Sequence, residues 1–131
     1  MTSQTLSIRI KCATGNVYAF VSNPRNLPKW ATAFCRSVRK TGKKWIIETP
    51  QGAMGFRFVP KNKLGVLDHY VSPNPGTEIY VPMRVVPNGS NSEMLLTIFR
   101  SEKMTNKQFS ADAAMVQRDL TRLKRILEDK D

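Results

Sequence analysis

The spacing of apolar residues changes along this chain, and each change predicts a different secondary structure. Residues 5–11 alternate between apolar and polar side chains, which is typical of a half-buried strand. Residues 14–30 place apolar side chains three and four positions apart, with an Asn23-Pro24 turn signal between two short helices. The chain is therefore expected to begin strand, helix, helix.

The middle of the chain is a series of short β-forming runs separated by turns. The turn signals are rich in Pro, Gly and Asn, and they lie at 41–43, 50–52, 60–63, 72–76 and 87–91. Such a series predicts an antiparallel meander of six strands. Pro82 falls inside one run, where we expect a bulge or an interruption because proline lacks the N–H that a central strand uses.

Helical spacing returns in the C-terminal segment. Apolar residues form a stripe from Ala113 to Leu127, and basic residues lie opposite it. We expect Ser110 to cap this helix, with Asp112 in its first turn. A lone helix of this kind is marginal in water and must pack on the sheet. The sequence thus predicts an α+β, helix-grip fold (β-α-α-β6-α), with a curved antiparallel seven-stranded sheet wrapped around a long C-terminal helix.

Length and composition narrow the class of protein. A chain of 131 residues is expected to form one domain, spanning 1–131. Its longest uncharged stretch, 12–24, is too short and too polar to cross a membrane, and residues 1–11 show no export signal, so a cytoplasmic location is the default. Cys12 and Cys35 show no metal-ligand spacing and are expected to be free thiols. The single histidine excludes a multi-histidine metal site, and we expect no cofactor.

The net charge of +11 is concentrated in the first half of the chain. Residues 1–63 hold 12 basic side chains and one acid, whereas residues 64–131 hold nine of each. Five of these basic residues surround one predicted turn and define the basic patch: Arg36, Arg39, Lys40, Lys43 and Lys44. Such a patch attracts nucleic acid, an anionic membrane surface or anionic small molecules, although it also serves solubility alone.

One segment resembles a known family. Residues 17–30, VYAFVSNPRNLPKW, are similar to the V-x-x-F-V-x-(D/N)-P-x-N-x-P-x-W stretch of the START-like (SRPBCC) superfamily, specifically the polyketide cyclase/dehydrase-like proteins. The resemblance implies a helix-grip fold over essentially the whole chain and a deep cavity with its mouth near loops 49–52, 72–76 and 101–109. Members include lipid carriers, hormone receptors, cyclases and co-chaperones, and the family shares no catalytic signature. No catalytic residue is therefore carried over.

The alternation of the predicted strands selects candidate ligand-binding residues. His69 shares an apolar face and is a candidate ligand contact and a weak candidate for general base catalysis, with a structural role as the alternative. Arg36 is in phase with apolar neighbours, which predicts an inward guanidinium that would need an anion, such as a ligand carboxylate. Asp68 and Arg84 are expected on the outer face, where they could form a cross-strand ion pair if their strands are neighbours. The candidate ligand-binding set is Trp30, Arg36, Phe56, Phe58, Leu67, His69 and Met83, with Tyr80 as a further polar anchor.

Three functions remain open from the sequence. The leading hypothesis is binding of a small hydrophobic or aromatic molecule or a lipid in an internal cavity. The second is a cyclase- or dehydratase-type enzyme that uses His69 on a polyketide-like substrate. The third is binding of nucleic acid or an anionic surface through the basic patch. A monomer and a homodimer are both compatible with the sequence.

Overall fold

A computed structural model of the protein describes residues 2–129 and contains eight strands and three α-helices. A short 3₁₀ turn at Pro24–Asn26 joins the first two helices. The α-helices are α1 (Thr14–Val21), α2 (Leu27–Trp30) and α3 (Asn106–Glu128). The strands are β1 (Ser3–Ile10), β2 (Ser37–Thr41), β3 (Lys44–Thr49), β4 (Gly52–Phe58), β5 (His69–Ser72), β6 (Ile79–Val81), β7 (Met83–Asn88) and β8 (Asn91–Phe99).

The strands form two antiparallel sheets. The first has the order β1-β8-β7 and the second the order β2-β3-β4-β5-β6. Every strand of the second sheet pairs with its neighbour in sequence, as expected for a meander, while β1 closes the first sheet by pairing along β8 from Ser3↔Phe99 to Ile10↔Ser92. The helix-grip class predicted from the sequence is confirmed, with eight strands in two sheets rather than seven in one.

The extra strand arises at Pro82, where an interruption was predicted. β6 ends at Val81 and β7 begins at Met83, so the chain passes from one sheet to the other across the proline. The Pro82 carbonyl still accepts a hydrogen bond from Thr97 N–H at 2.9 Å. The missing N–H of proline thus divides one predicted strand into two, each belonging to a different sheet.

The start of α3 differs from the prediction. Thr105, not Ser110, is the N-cap: its hydroxyl accepts a hydrogen bond from Gln108 N–H at 3.0 Å. The Gln108 side chain accepts one in return from Thr105 N–H at 2.9 Å, which completes a capping box. Residues 106–108 are polar, and the predicted stripe was begun only at Ala113, so apolar spacing alone placed the start of the helix too late. The predicted stripe is confirmed, because Ala113, Leu120, Leu123 and Leu127 are buried.

The hydrophobic core contains residues from both sheets and all three helices. Val17 and Val21 of α1 are completely buried, as are Leu120 and Leu123 of α3. Leu27 and Trp30 of α2, which belong to the same 17–30 segment as Val17 and Val21, are 3% and 4% exposed. The segment that carries the family resemblance therefore packs into the core of the fold.

Candidate ligand cavity

A cavity of about 320 Å³ lies between the inner face of the sheets and helices α2 and α3. Its wall is mostly apolar, with side chains from β4 to β8 on one side and from the two helices on the other. Ligand pockets in proteins usually range from about 300 to 1,000 Å³ and are mostly apolar with a few polar groups. The space is therefore large enough for a small organic ligand.

An aromatic cluster on β4 and β5 forms one wall. Phe58 pairs with His69 across the two strands, and Phe56 pairs with Val71, so alternation directs all four side chains to the same face. The His69 ring stacks on Phe56 with centroids 5.1 Å apart and meets the edge of Phe58 at 5.6 Å. All four residues line the cavity.

His69 is a neutral hydrogen-bond acceptor in this wall. Its side chain is 8% exposed, and Nδ1 lies 3.0 Å from the Leu67 carbonyl oxygen. Because a carbonyl only accepts, Nδ1 carries the proton and Nε2 is the free acceptor. Burial lowers the pKa of His69 to about 4, although the Leu67 carbonyl and Asp68 oppose this shift. The described residues offer Nε2 no hydrogen-bond partner, so it is available to a ligand.

Helix α2 contributes Trp30 to the opposite wall. The ring is 4% exposed and lines the cavity. Its Nε1 atom is the only fully buried side-chain nitrogen or oxygen without a hydrogen-bond partner among residues 2–129. A buried N–H without a partner is uncommon because it costs free energy that a hydrogen bond would recover. The tryptophan of the family motif therefore has both a packing role and an unused donor.

Helix α3 contributes two carboxylates, which sequence reasoning did not place in the site. Asp112 and Asp119 are seven residues apart and both line the cavity. Burial raises the pKa of Asp112 and that of Asp119. The shift of Asp119 is opposed by the backbone N–H donors of Ala33 and Phe34 and by Arg122. Asp119 accepts the Ala33 N–H bond at 2.9 Å, which ties α3 to the segment after α2. The sequence does contain a signal for this placement, because residues seven apart lie on the same face of a helix and this face of α3 is otherwise apolar.

Exposed apolar residues mark the mouth of the cavity. Ile79, Tyr80 and Phe99 are 50%, 39% and 38% exposed and line the cavity where β6 begins and β8 ends. Tyr80 and Phe99 stack with centroids 6.4 Å apart. Gln51 and Met104 also line the cavity, in agreement with two of the three predicted mouth loops. Loop 72–76 does not: it borders a groove on the outer face.

The structure brings together five of the seven candidate ligand-binding residues. Trp30, Phe56, Phe58, His69 and Met83 line the cavity, as does the proposed anchor Tyr80.

Two candidates lie elsewhere. Arg36 is exposed and outside the lining, so the inward guanidinium was wrong: the residue precedes β2, and strand alternation does not extend back to it. Leu67 is 1% exposed but belongs to the packed core, since it precedes β5 and its N–H bonds to the Met83 carbonyl at 2.8 Å. The predicted cationic anchor, Arg36, is therefore not part of the cavity lining.

The Asp68–Arg84 ion pair was predicted and is present, with 3.0 Å between Nη2 and Oδ2. Asp68 is 5% exposed, however, and was expected on the outer face. It is enclosed because it also accepts hydrogen bonds from Tyr80 and from the Met83 backbone. This carboxylate belongs to the junction between the sheets, not to the cavity lining.

The basic patch lies on the β2–β3 hairpin, and all five of its residues are exposed. Arg39 pairs with Glu48 at 2.8 Å, whereas the other four have no acidic partner among residues 2–129. Trp45 is half-buried, with the Arg25 guanidinium 5.0 Å and the Lys40 ammonium 5.4 Å from its ring centroid. The only aromatic residue in the patch is therefore already in contact with cations.

Residues 2–129 contain no group of three or more His, Cys, Asp or Glu side chains placed to hold a metal ion. None of the three helices combines the length and the apolar character needed to span a bilayer.

Comparison with solved structures shows the fold. The protein is similar to XoxI from Bacillus cereus, with a TM-score of 0.78 and 19% identity over 98% of this chain and 97% of that one. It is also similar to DynU16, a protein of the dynemicin biosynthetic locus, with a TM-score of 0.71 and 15% identity over 97% of this chain and 47% of that one. Ara h 8.0201 gives a TM-score of 0.69 and 10% identity over 98% and 99% of the two chains. No family model and no curated protein matches the sequence.

Proposed function

We propose that this protein binds a small apolar molecule in the cavity between its sheets and α3. The observation that carries the proposal is an apolar space of about 320 Å³ inside a fold of only 131 residues. Small domains normally fill their interior at close to crystal density, because empty space forfeits dispersion contacts. A cavity of this size is more readily explained by a ligand than by packing.

The mouth supports the same proposal. Ile79, Tyr80 and Phe99 expose large apolar surfaces at one place, although isolated exposed apolar residues are ordinary. Here they continue into the lining of the cavity, so a ligand would cover surface that is otherwise hydrated. The similarity to DynU16 is compatible with such a role, and membership of the START-like superfamily remains part of the proposal.

The experiment is a titration with the neutral fluorophore N-phenyl-1-naphthylamine, paired with native mass spectrometry of the purified protein. Met115 lines the cavity and is half-buried, so Met115→Trp would fill part of the space. Its neighbour Ala114 is exposed, and Ala114→Trp is the matched control on the same helix. We expect saturable fluorescence enhancement in the wild type and in Ala114→Trp, with at least about tenfold weaker binding in Met115→Trp. Equal binding in all three would place the probe outside the cavity and contradict the proposal.

A cyclase- or dehydratase-type activity is the second candidate, and His69 favours it. The free Nε2 atom in the cavity wall could accept a proton from a bound substrate. With a pKa of about 4, however, the imidazole is a weak base at neutral pH. Once a substrate is identified, turnover by His69→Ala that stays within threefold of wild type would remove His69 from this role.

Binding of nucleic acid through the basic patch is the third candidate. Four exposed cations that have no acidic partner among residues 2–129 support it, whereas the contacts already made by Trp45 leave little ring surface for base stacking. Affinity for single-stranded RNA should then fall steeply with salt. A variant with Lys40, Lys43 and Lys44 all changed to Glu should lose it, and retained affinity would count against this function.

A further inference from the structure

The charges that line the cavity are opposite in sign to the charge of the protein as a whole. The chain carries +11, yet the charged residues among the described lining are Asp112 and Asp119, with no lysine or arginine. Arg122 approaches Asp119 at 3.6 Å from outside the lining and offsets part of its charge. Asp112 has no ion pair or side-chain hydrogen bond among residues 2–129. The charged side chains of the described lining are thus acidic, and that of Asp112 has no ion-pair partner among residues 2–129.

Apart from Gln51 at the exposed mouth, whose amide both donates and accepts, the free hydrogen-bonding groups of the described wall are mainly acceptors. His69 Nε2 is an acceptor because Nδ1 already donates to Leu67 O, and the side chain is more than nine-tenths buried. The carboxylate of Asp112 accepts only. The Trp30 N–H is a donor, but it is fully enclosed within the wall. A bound molecule would satisfy this wall by supplying a donor.

An anionic ligand would be disfavoured for two reasons. It would lose its hydration on entering an apolar space, and none of the lysines and arginines within residues 2–129 lines the cavity to replace that hydration. It would also approach carboxylates, and like charges brought together at a desolvated site repel strongly. The predicted anchor for a ligand carboxylate, Arg36, is exposed elsewhere.

Resting on the proposed function, we infer that the cavity selects an apolar ligand that carries a hydroxyl or amine hydrogen-bond donor and excludes ligands that carry a carboxylate, sulfonate or phosphate. Neutral aromatic alcohols and amines fit this description, and fatty acids do not. Anions attracted by the positive surface remain outside, at the basic patch.

The test is displacement of bound N-phenyl-1-naphthylamine by three naphthalenes of similar size, at neutral pH and in high salt to suppress surface binding. 2-Naphthol has a donor, 2-methoxynaphthalene has the same ring without one, and 2-naphthoate is an anion. We expect 2-naphthol to compete best and 2-naphthoate to be at least about tenfold weaker than 2-naphthol. 2-Methoxynaphthalene is more apolar than 2-naphthol but has no hydrogen-bond donor. If it competes as well as 2-naphthol does, the ligand needs no donor and that part of the inference is overturned.

Substitution of Asp112 tests whether the exclusion of anionic ligands arises inside the cavity. Asp112→Asn should improve binding of 2-naphthoate severalfold and leave that of 2-naphthol within about twofold. Glu102→Gln is the matched control, because it makes the same change in net charge at an exposed residue outside the lining. Competition by 2-naphthoate equal to that by 2-naphthol would overturn the inference while the proposed function stands. Failure of the fluorophore to bind at all would instead overturn the proposed function.

Discussion

The Asp68 carboxylate accepts a hydrogen bond from the Met83 backbone N–H at 2.9 Å, directly after the residue that interrupts the strand. Pro82 has no N–H, and the ladder between the two sheets is broken at this point. Asp68 also accepts the Tyr80 hydroxyl at 2.7 Å and both Nε and Nη2 of Arg84 at 3.1 and 3.0 Å. One buried carboxylate thus replaces the strand pairing that proline removes.

Asp68→Ala should be strongly destabilising. It would leave the Met83 N–H without a partner and release Arg84 and Tyr80, for a loss of about 2–3 kcal/mol in the free energy of unfolding. Asp68→Asn keeps one acceptor oxygen and should lose less. Urea denaturation measures both. Glu48→Gln breaks the exposed Arg39 pair and should cost less than about 1 kcal/mol. An Asp68→Ala loss no larger than that of Glu48→Gln would contradict the junction role.

The sequence predicted the order of elements and most of the cavity wall, because both depend on local periodicity. Phe56, Phe58 and His69 alternate within β4 and β5, and that alternation holds wherever a strand is continuous. The prediction failed where strands begin. Arg36 and Leu67 were assigned by extending the alternation beyond the ends of β2 and β5, and both residues lie outside the cavity lining.

The carboxylates of the cavity depend on longer-range geometry. Asp112 and Asp119 read as ordinary polar residues of an amphipathic helix, and only the rotation of α3 against the sheets shows that they reach the cavity. The burial of Asp68 was likewise not predicted. Strand alternation predicted an outward, exposed side chain, but hydrogen bonds from three residues of β6 and β7 enclose it. Burial of a polar group depends on partners distant in sequence, which periodicity does not identify.

His69 should make the protein less stable in mild acid. Its pKa is about 4 in the folded state and near 6.5 when unfolded, so below pH 6.5 the unfolded state binds the proton more strongly. Stability that is fully present above pH 6.5 is therefore lost as the pH falls toward 4, by about 3 kcal/mol. The measurement is the free energy of unfolding from urea denaturation across this range.

The control for this pH effect is His69→Gln, which does not titrate. Asp112 and Asp119 act in the opposite direction, since burial raises their pKa values and acid then favours the folded state. Subtracting the variant from the wild type removes their contribution. His69 is the only histidine, so a difference that does not change between pH 6.5 and 4 would show that the imidazole is not buried and neutral.

Cys35 should be unreactive in the folded protein. Cys35 is completely buried, and burial raises the pKa of its thiol to about 11, with a backbone hydrogen bond of Ser37 opposing the shift. Because the thiolate is the nucleophile, both access and ionisation limit its reaction. In a Cys12→Ala variant, Ellman's reagent should label Cys35 slowly under native conditions and at once in guanidinium. Equally rapid labelling in both conditions would show that the site is open.

Gly65 should tolerate no side chain, whereas Gly15 should accept one. Gly65 has φ +73°, and a Cβ there would lie 2.2 Å from the Val85 carbonyl oxygen, which belongs to the neighbouring strand. The backbone has little freedom to move away, because Val85 N–H also donates to the Gly65 carbonyl at 3.0 Å. Gly65→Ala should therefore cost at least about 2 kcal/mol, from the left-handed conformation and the contact together.

Gly15 gives the matched control for this substitution. It lies in α1, and a Cβ there would meet nothing within 4 Å. Gly15→Ala should stabilise the protein by about 0.5–1 kcal/mol, since alanine loses less conformational freedom in a helix. Thermal and urea denaturation of the two variants should thus give shifts of opposite sign. Similar shifts in both would mean that the chain at Gly65 is free to move away from β7, and that the close approach of these two segments does not limit this part of the fold.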